Sequence, residues 1–183
     1  MGYIYLYTGT GGGKTANALG LALRSVGHGK KVVIIQFFKW RKDIGEYMIR
    51  NKLAPLYEIH QFGRPVWLGK EERIQEFGAD KFEVESVKDI DRELASKGLD
   101  FAKKVLKKKP HLLILDEINL AVHWSLLDVK DVLELLDGVP SETTVVMTGR
   151  YARQELIDRA DFVNVIQDTK TPKAFRLTEG IQY

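Results

Sequence analysis

Apolar residues run through YIYLY at 3–7, recur at helical spacing through TANALGLALRSV at 15–26, and run unbroken again through KKVVIIQFF at 30–38. Short continuous apolar runs predict strands covered on both faces, and the three-to-four spacing predicts an amphipathic helix between them. Gly27 and Gly29 mark the end of that helix, because glycine accepts the left-handed angles that close a C-terminus. APLYEIHQF at 54–62 predicts a third strand, and the charged stretch from Lys70 to Lys108 predicts one long helix ended by Pro110. HLLILDEIN at 111–119 predicts a buried strand ending in two carboxylates, VKDVLELLDGV at 129–139 a helix, and TTVVMTGR at 143–150 a strand. A last helix at 153–160 and the strand DFVNVIQ at 161–167 precede a short tail. Strands alternating with helices predict an α/β fold with a mostly parallel sheet and helices on both faces.

The length of 183 residues suits one domain spanning 1–183. Hydrophobic residues at 44% and charged residues at 29% are the balance of a globular protein. No apolar run reaches the roughly 18 to 20 residues that span a bilayer, and MGYIYLYTGT lacks the features of a cleaved leader, so a cytoplasmic place and no membrane partner are expected. The absence of cysteine excludes disulfides, iron–sulfur ligation and thiolate zinc sites. A net charge of +3 does not imply a nucleic-acid partner, since a backbone footprint needs clustered cations. The dense cluster KKVLKKK at 103–109 closes a predicted helix, where cations complement the helix dipole.

In an open parallel sheet, ligands bind beyond the carboxyl ends of the strands, and three strand ends carry chemistry. The first is YTGTGGGKT at 7–15, which differs from the usual G-x-x-x-x-G-K-[ST] phosphate loop in having Thr8 where the leading glycine belongs. Gly9, Thr10, Gly11, Gly12 and Gly13 would turn backbone N–H groups toward a polyanion, Lys14 would add a point charge, and the Thr15 hydroxyl would reach Mg²⁺. A dinucleotide fingerprint does not fit, because it would require glycine at Lys14. The second end is LLILDE, where Asp116 and Glu117 would complete a Mg²⁺ site with Thr15. The third is TGR, whose Arg150 would brace phosphate oxygens. The four histidines show no ligand spacing. These residues are compatible with group transfer from ATP, with a RecA-like ATPase or nucleoside kinase moving the γ-phosphate, and with a nucleotide-dependent binding module.

The stretches GTGGGKTANALGLALRSVGHGKKVVIIQFFKW, LLILDEIN, VVMTGRYARQELIDRADFVNVI and the closing GIQY resemble, in order, the P-loop family of ATP:corrinoid adenosyltransferases, over essentially the whole of 3–183. The resemblance implies a RecA-like P-loop fold, a shortened T-G-x-G-x-G-K-[ST] loop, and ATP bound so that its ribose C5′ faces Co(I) of a corrinoid. It implies release of triphosphate, catalytic roles for Lys14, Glu117 and Arg150, Mg²⁺ as cofactor, a homodimer, and a flavoprotein as reductant. FGRPVW at 62–67 stands where the family has G-F-T-W, so Phe62 and Trp67 are expected at the corrinoid. The chain differs from the family pattern at Gly12, often lysine there, and is expected to have a shorter tail between Ala174 and Gly180; some family members carry an N-terminal extension over the corrinoid, and here the first strand is expected to open the sequence.

Overall fold

A computed structural model describes residues 2–69, 71–77, 80–172 and 178–182, apart from the side chains of 75–77 and 80–82. Six strands form one sheet in the order β3-β2-β7-β8-β1-β9: β1 Ile4–Thr8, β2 Val32–Phe37, β3 Tyr57–Phe62, β7 Leu112–Asp116, β8 Thr144–Thr148 and β9 Phe162–Val165. Every adjacent pair in it is parallel, as continuous burial of β2 and β7 requires. The arrangement is that of an α/β protein consistent with a RecA-like P-loop fold. β8 lies between the strand that enters the glycine loop and the strand that ends in carboxylates.

Alternate side chains of the central strands feed two cores. On one face Val33, Ile35, Phe37, Leu113, Leu115, Val145 and Met147 pack under α4 Asp89–Leu106, α5 Ile118–His123, α6 Val129–Asp137 and α7 Gln154–Arg159. α4 turns Ala95, Gly98, Leu99, Ala102, Val105 and Leu106 inward, a stripe of helical period. On the other face Val32, Ile34, Leu112, Ile114 and Val146 meet α1 Lys14–Gly27 through its small Ala18 and Ala22, which bring that helix close to the sheet. Two short helices, α2 Gly45–Met48 and α3 Arg50–Leu53, connect β2 to β3.

The long helix expected from Lys70 to Lys108 is corrected. Its first part is a three-stranded sheet in the order β4-β6-β5, made of β4 Trp67–Gly69, β5 Arg73–Phe77 and β6 Asp80–Ser86, and α4 begins only at Asp89. The charge of this stretch masks a period of two, with Phe82 and Val84 alternating with Glu83 and Glu85. β5 and β6 pair antiparallel and β4 and β6 parallel. Arg64 ties this small sheet to the body: its Nε and Nη2 donate to the two oxygens of buried Asp91 at 2.8 and 3.1 Å, and its Nη1 to Glu85 at 2.6 Å. The strand expected over 111–119 also ends early, at Asp116, because Glu117 takes a left-handed φ of 67° and starts α5. The tail expected to be short, 174–180, lies largely outside the described residues.

Candidate functional site

The parallel sheet brings the carboxyl ends of β1, β7 and β8 to one edge, so Thr8, Asp116 and Thr148 open onto a common space. The glycine loop leaves β1 there and enters α1 at Gly13, whose φ of 92° is left-handed. No side chain caps α1 and no acidic residue occupies its first turn, which leaves the first N–H groups facing outward. Lys14 is buried to 6% exposure and folds back over the loop, its Nζ donating to the carbonyls of Gly9 at 2.9 Å and Gly11 at 2.5 Å. Burial holds its ammonium below the ordinary lysine value, against the carboxylate of Glu117; Arg150 adds to the lowering and Asp168 opposes it.

Asp116 is the hub of this edge. The hydroxyls of Thr15 and Thr148 donate to its Oδ1 at 2.8 and 2.7 Å, and Gln36 Nε2 and Lys39 Nζ approach Oδ2 at 3.1 and 3.0 Å. Burial alone would raise its carboxyl, but the Lys39 charge and the two hydroxyls hold it below the usual range. Lys39 also lies 3.4 Å from Glu46; these two carboxylates keep its own value raised despite its burial. Gln61 extends the network by donating to Gln36 Oε1 at 3.0 Å.

Glu117 contrasts with its neighbour. Its N–H donates to Thr148 Oγ1 at 3.0 Å, yet its buried Oε2 has no hydrogen-bond partner among the described residues. Burial, and then repulsion from Asp116, push this carboxyl up to about 7 despite Lys39, Lys14 and Arg150. An unpaired buried carboxylate oxygen is costly, and as a hard oxygen donor it is of the kind that suits Mg²⁺. Arg150 is exposed in a turn between Gly149 at φ 134° and Tyr151 at φ 57°. Asn119, fully buried, ties three strand ends together by donating to the carbonyls of Tyr7 and Gly149, both at 3.2 Å.

Glu117 also lines a cavity of about 280 Å³ with Phe38, Lys39, Trp40, Trp67, Leu120 and Trp124. All three tryptophans of the chain, distant in sequence, therefore meet at one place. Trp40 and Trp67 pack edge to face at 5.4 Å, and Phe38 lies 5.4 Å from Trp124. Trp67, expected at the corrinoid, is part of this cavity's lining. Phe62 does not line this cavity; it packs on Phe101 at 5.8 Å beside α4.

The structure brings Gly9 to Thr15, Asp116, Glu117 and Arg150 to a single edge of the sheet. The sequence reading missed Gln36, Lys39, Trp40, Asn119, Trp124 and Asp168. A signal existed for Gln36, a polar residue inside the apolar run VVIIQF, and for Asn119, just past the carboxylates. The tryptophans carried none, since only folding brings them together.

Comparison with known proteins agrees with this geometry. The family model described as ATP:corrinoid adenosyltransferase BtuR/CobO/CobP matches residues 1–183. The chain is 32% identical over 170 residues to a corrinoid adenosyltransferase of Escherichia coli K12, covering 92% of this chain and 78% of that one. It is 31% identical over 170 residues to the corrinoid adenosyltransferase CobA of Salmonella typhimurium, with the same 92% and 78% coverage. A corrinoid adenosyltransferase of Sinorhizobium is 27% identical over 187 residues, covering 100% of this chain and 80% of its own length. With a glycine loop, paired carboxylates and an aromatic cavity on one sheet edge, and a family match over its whole length, the chain belongs to the ATP:corrinoid adenosyltransferase family.

Proposed function

We propose that this chain transfers the 5′-deoxyadenosyl group of ATP to Co(I) of a corrinoid and releases triphosphate. The observation that carries the reading is Glu117, which lies in the field of Lys14 on the loop side and lines the aromatic cavity on the other. A polyphosphate site and a largely aromatic cavity with a common wall suit a reaction between a nucleotide and a large, partly apolar partner. Transfer of the γ-phosphate to a small hydroxyl would leave a cavity walled by three tryptophans without a use.

The Co(I) electron pair forms the cobalt–carbon bond as the C5′–oxygen bond breaks, and the departing electron pair leaves on the triphosphate. No proton need move, so the residues have two tasks: holding C5′ in line with cobalt and stabilising the charge that grows on the leaving oxygens. Lys14, the N–H groups of the loop and of the first turn of α1, and Arg150 serve the second. Trp40, Trp67 and Trp124 serve the first by seating the corrinoid away from water. Thr15 and Glu117 would hold Mg²⁺, with Asp116 fixing the Thr15 hydroxyl through its 2.8 Å hydrogen bond. Bound there, Mg²⁺ supplies positive charge to the polyphosphate.

A homodimer belongs to the same reading, supported by exposed Phe162, Val163 and Val165 on the edge strand β9. So do a cytoplasmic place, in keeping with the absence of any helix among the described residues long and apolar enough to cross a membrane, and a flavoprotein reductant. The decisive assay supplies ATP and chemically reduced corrinoid and identifies both products. Triphosphate together with loss of the Co(I) spectrum is expected. Release of ADP, or an unchanged Co(I) spectrum, would overturn the proposal.

A further inference from the structure

The glycine loop is strapped to the segment that follows β9. Gly11 N–H donates to the carbonyl of Ile166 at 3.0 Å, and a Cβ at Gly9 would stand 2.3 Å from that same oxygen. Two residues further on, the Asp168 carboxylate lies against the loop and accepts from Gly12 N–H with both oxygens, at 3.2 and 3.3 Å. Gly12 is exposed, and a Cβ there would meet no atom within 4 Å, so the loop beside it is open to an incoming polyphosphate. Meanwhile Lys14 Nζ is turned onto the carbonyls of Gly9 and Gly11. Two of the groups most suited to binding a phosphate are therefore engaged by acceptors of the chain itself.

Taking the loop as the polyphosphate cradle, as proposed above, we propose that Asp168 is an internal competitor for it: a fixed anion that the phosphate chain displaces from Gly12 on binding and that returns on release. A carboxylate and a phosphate cannot share one N–H donor at close range without repulsion, so Asp168 lowers affinity for ATP and hastens departure of the triphosphate product. Its charge already reaches this far, since it acts on the Lys14 ammonium. A site that must release an intact triphosphate, with more negative charge than any other product a nucleotide site commonly holds, gains turnover from such a device.

The test is Asp168→Asn, which keeps an acceptor oxygen for Gly12 and removes the charge. Binding of inorganic tripolyphosphate, ATP and adenosine is measured by calorimetry on the full chain, with thermal melting as a check on folding. For an exposed carboxylate the expected tightening is about five- to tenfold for tripolyphosphate and ATP at low salt, shrinking at high salt, with adenosine unaffected. Under saturating ATP and reduced corrinoid, product release should slow in the variant. If Asp168 merely braces the loop or contacts the nucleotide, the substitution leaves tripolyphosphate affinity unchanged or weakens it, and either result overturns this inference while leaving the adenosyltransferase reading intact. Failure of both proteins to bind tripolyphosphate would overturn the cradle itself.

Discussion

Lys14 and Glu117 are each buried at the price of a perturbed charge, which the polyphosphate and Mg²⁺ of the proposed reaction would relieve. Lys14→Ala should lower the turnover number by about 10²-fold or more, since on the proposed reading it removes a charge that stabilises the leaving polyphosphate. Melting temperature checks that the variant folds, since the Lys14 contacts to Gly9 and Gly11 are largely buried; full activity in a folded variant would sink the phosphate role. For Glu117 the sign of the pH dependence follows from its carboxyl being raised from an ordinary 4.5 to about 7. Between those values the folded chain retains a proton that the unfolded chain has lost, so stability without ligand falls as pH rises from about 4.5 to about 7, by on the order of 3 kcal/mol. Asp116 acts in a different window: its carboxyl is held low, and its contribution is lost only as pH falls through and below the ordinary carboxylate range. Urea midpoints at pH 5 and pH 7.5 should therefore converge in Glu117→Gln, which should also weaken the Mg²⁺ dependence of nucleotide binding. Glu117 was legible from the sequence as a carboxylate ending an apolar strand. Its unpaired oxygen and left-handed backbone were not, because both are set by surroundings that other strands supply, Thr148 at its N–H among them.

Between β1 and α1, four glycines that look alike in the sequence do different work. Gly9 has a φ of 99° and touches the Ile166 carbonyl, whereas a Cβ on Gly12 would stand in open space. Gly9→Ala should lower the melting temperature by about 5 °C or more, since strain and collision both oppose it. Gly12→Ala should leave the melting temperature nearly unchanged; equal losses in the two would refute the strap between loop and β9. The small sheet offers a second contrast. Arg64 is the bidentate partner of Asp91, whose side chain is only 1% exposed. Arg64→Ala should thus cost about 3 to 5 kcal/mol in denaturant melts, with Arg64→Lys recovering part of it. This sheet was invisible to a reading that equated a charged stretch with helix: β4 pairs with β6 although β5 lies between them in the chain, and the many charged residues conceal the alternation in the sequence.

On the scale of the whole molecule, the nucleotide half and the aromatic half of the site are built from separate stretches and joined at Glu117. Trp124→Ala should raise the KM for corrinoid by about tenfold, in keeping with loss of a buried aromatic contact, while leaving ATP binding intact. A parallel loss of ATP affinity would show that the two halves are not separable. The alternating α/β order, the parallel sheet and the glycine loop with its lysine, threonine and distant carboxylates were all readable from local pattern, because strand period, helix period and turn chemistry depend on neighbours in the chain. Which oxygen of Asp116 takes the Thr15 hydroxyl, why Glu117 stays uncompensated, that Asp168 lies on Gly12, and that Trp40, Trp67 and Trp124 enclose one cavity emerged only when remote segments packed together. Burial and hydrogen bonding between residues a hundred positions apart are set by how strands stack into a sheet, and no local period encodes them.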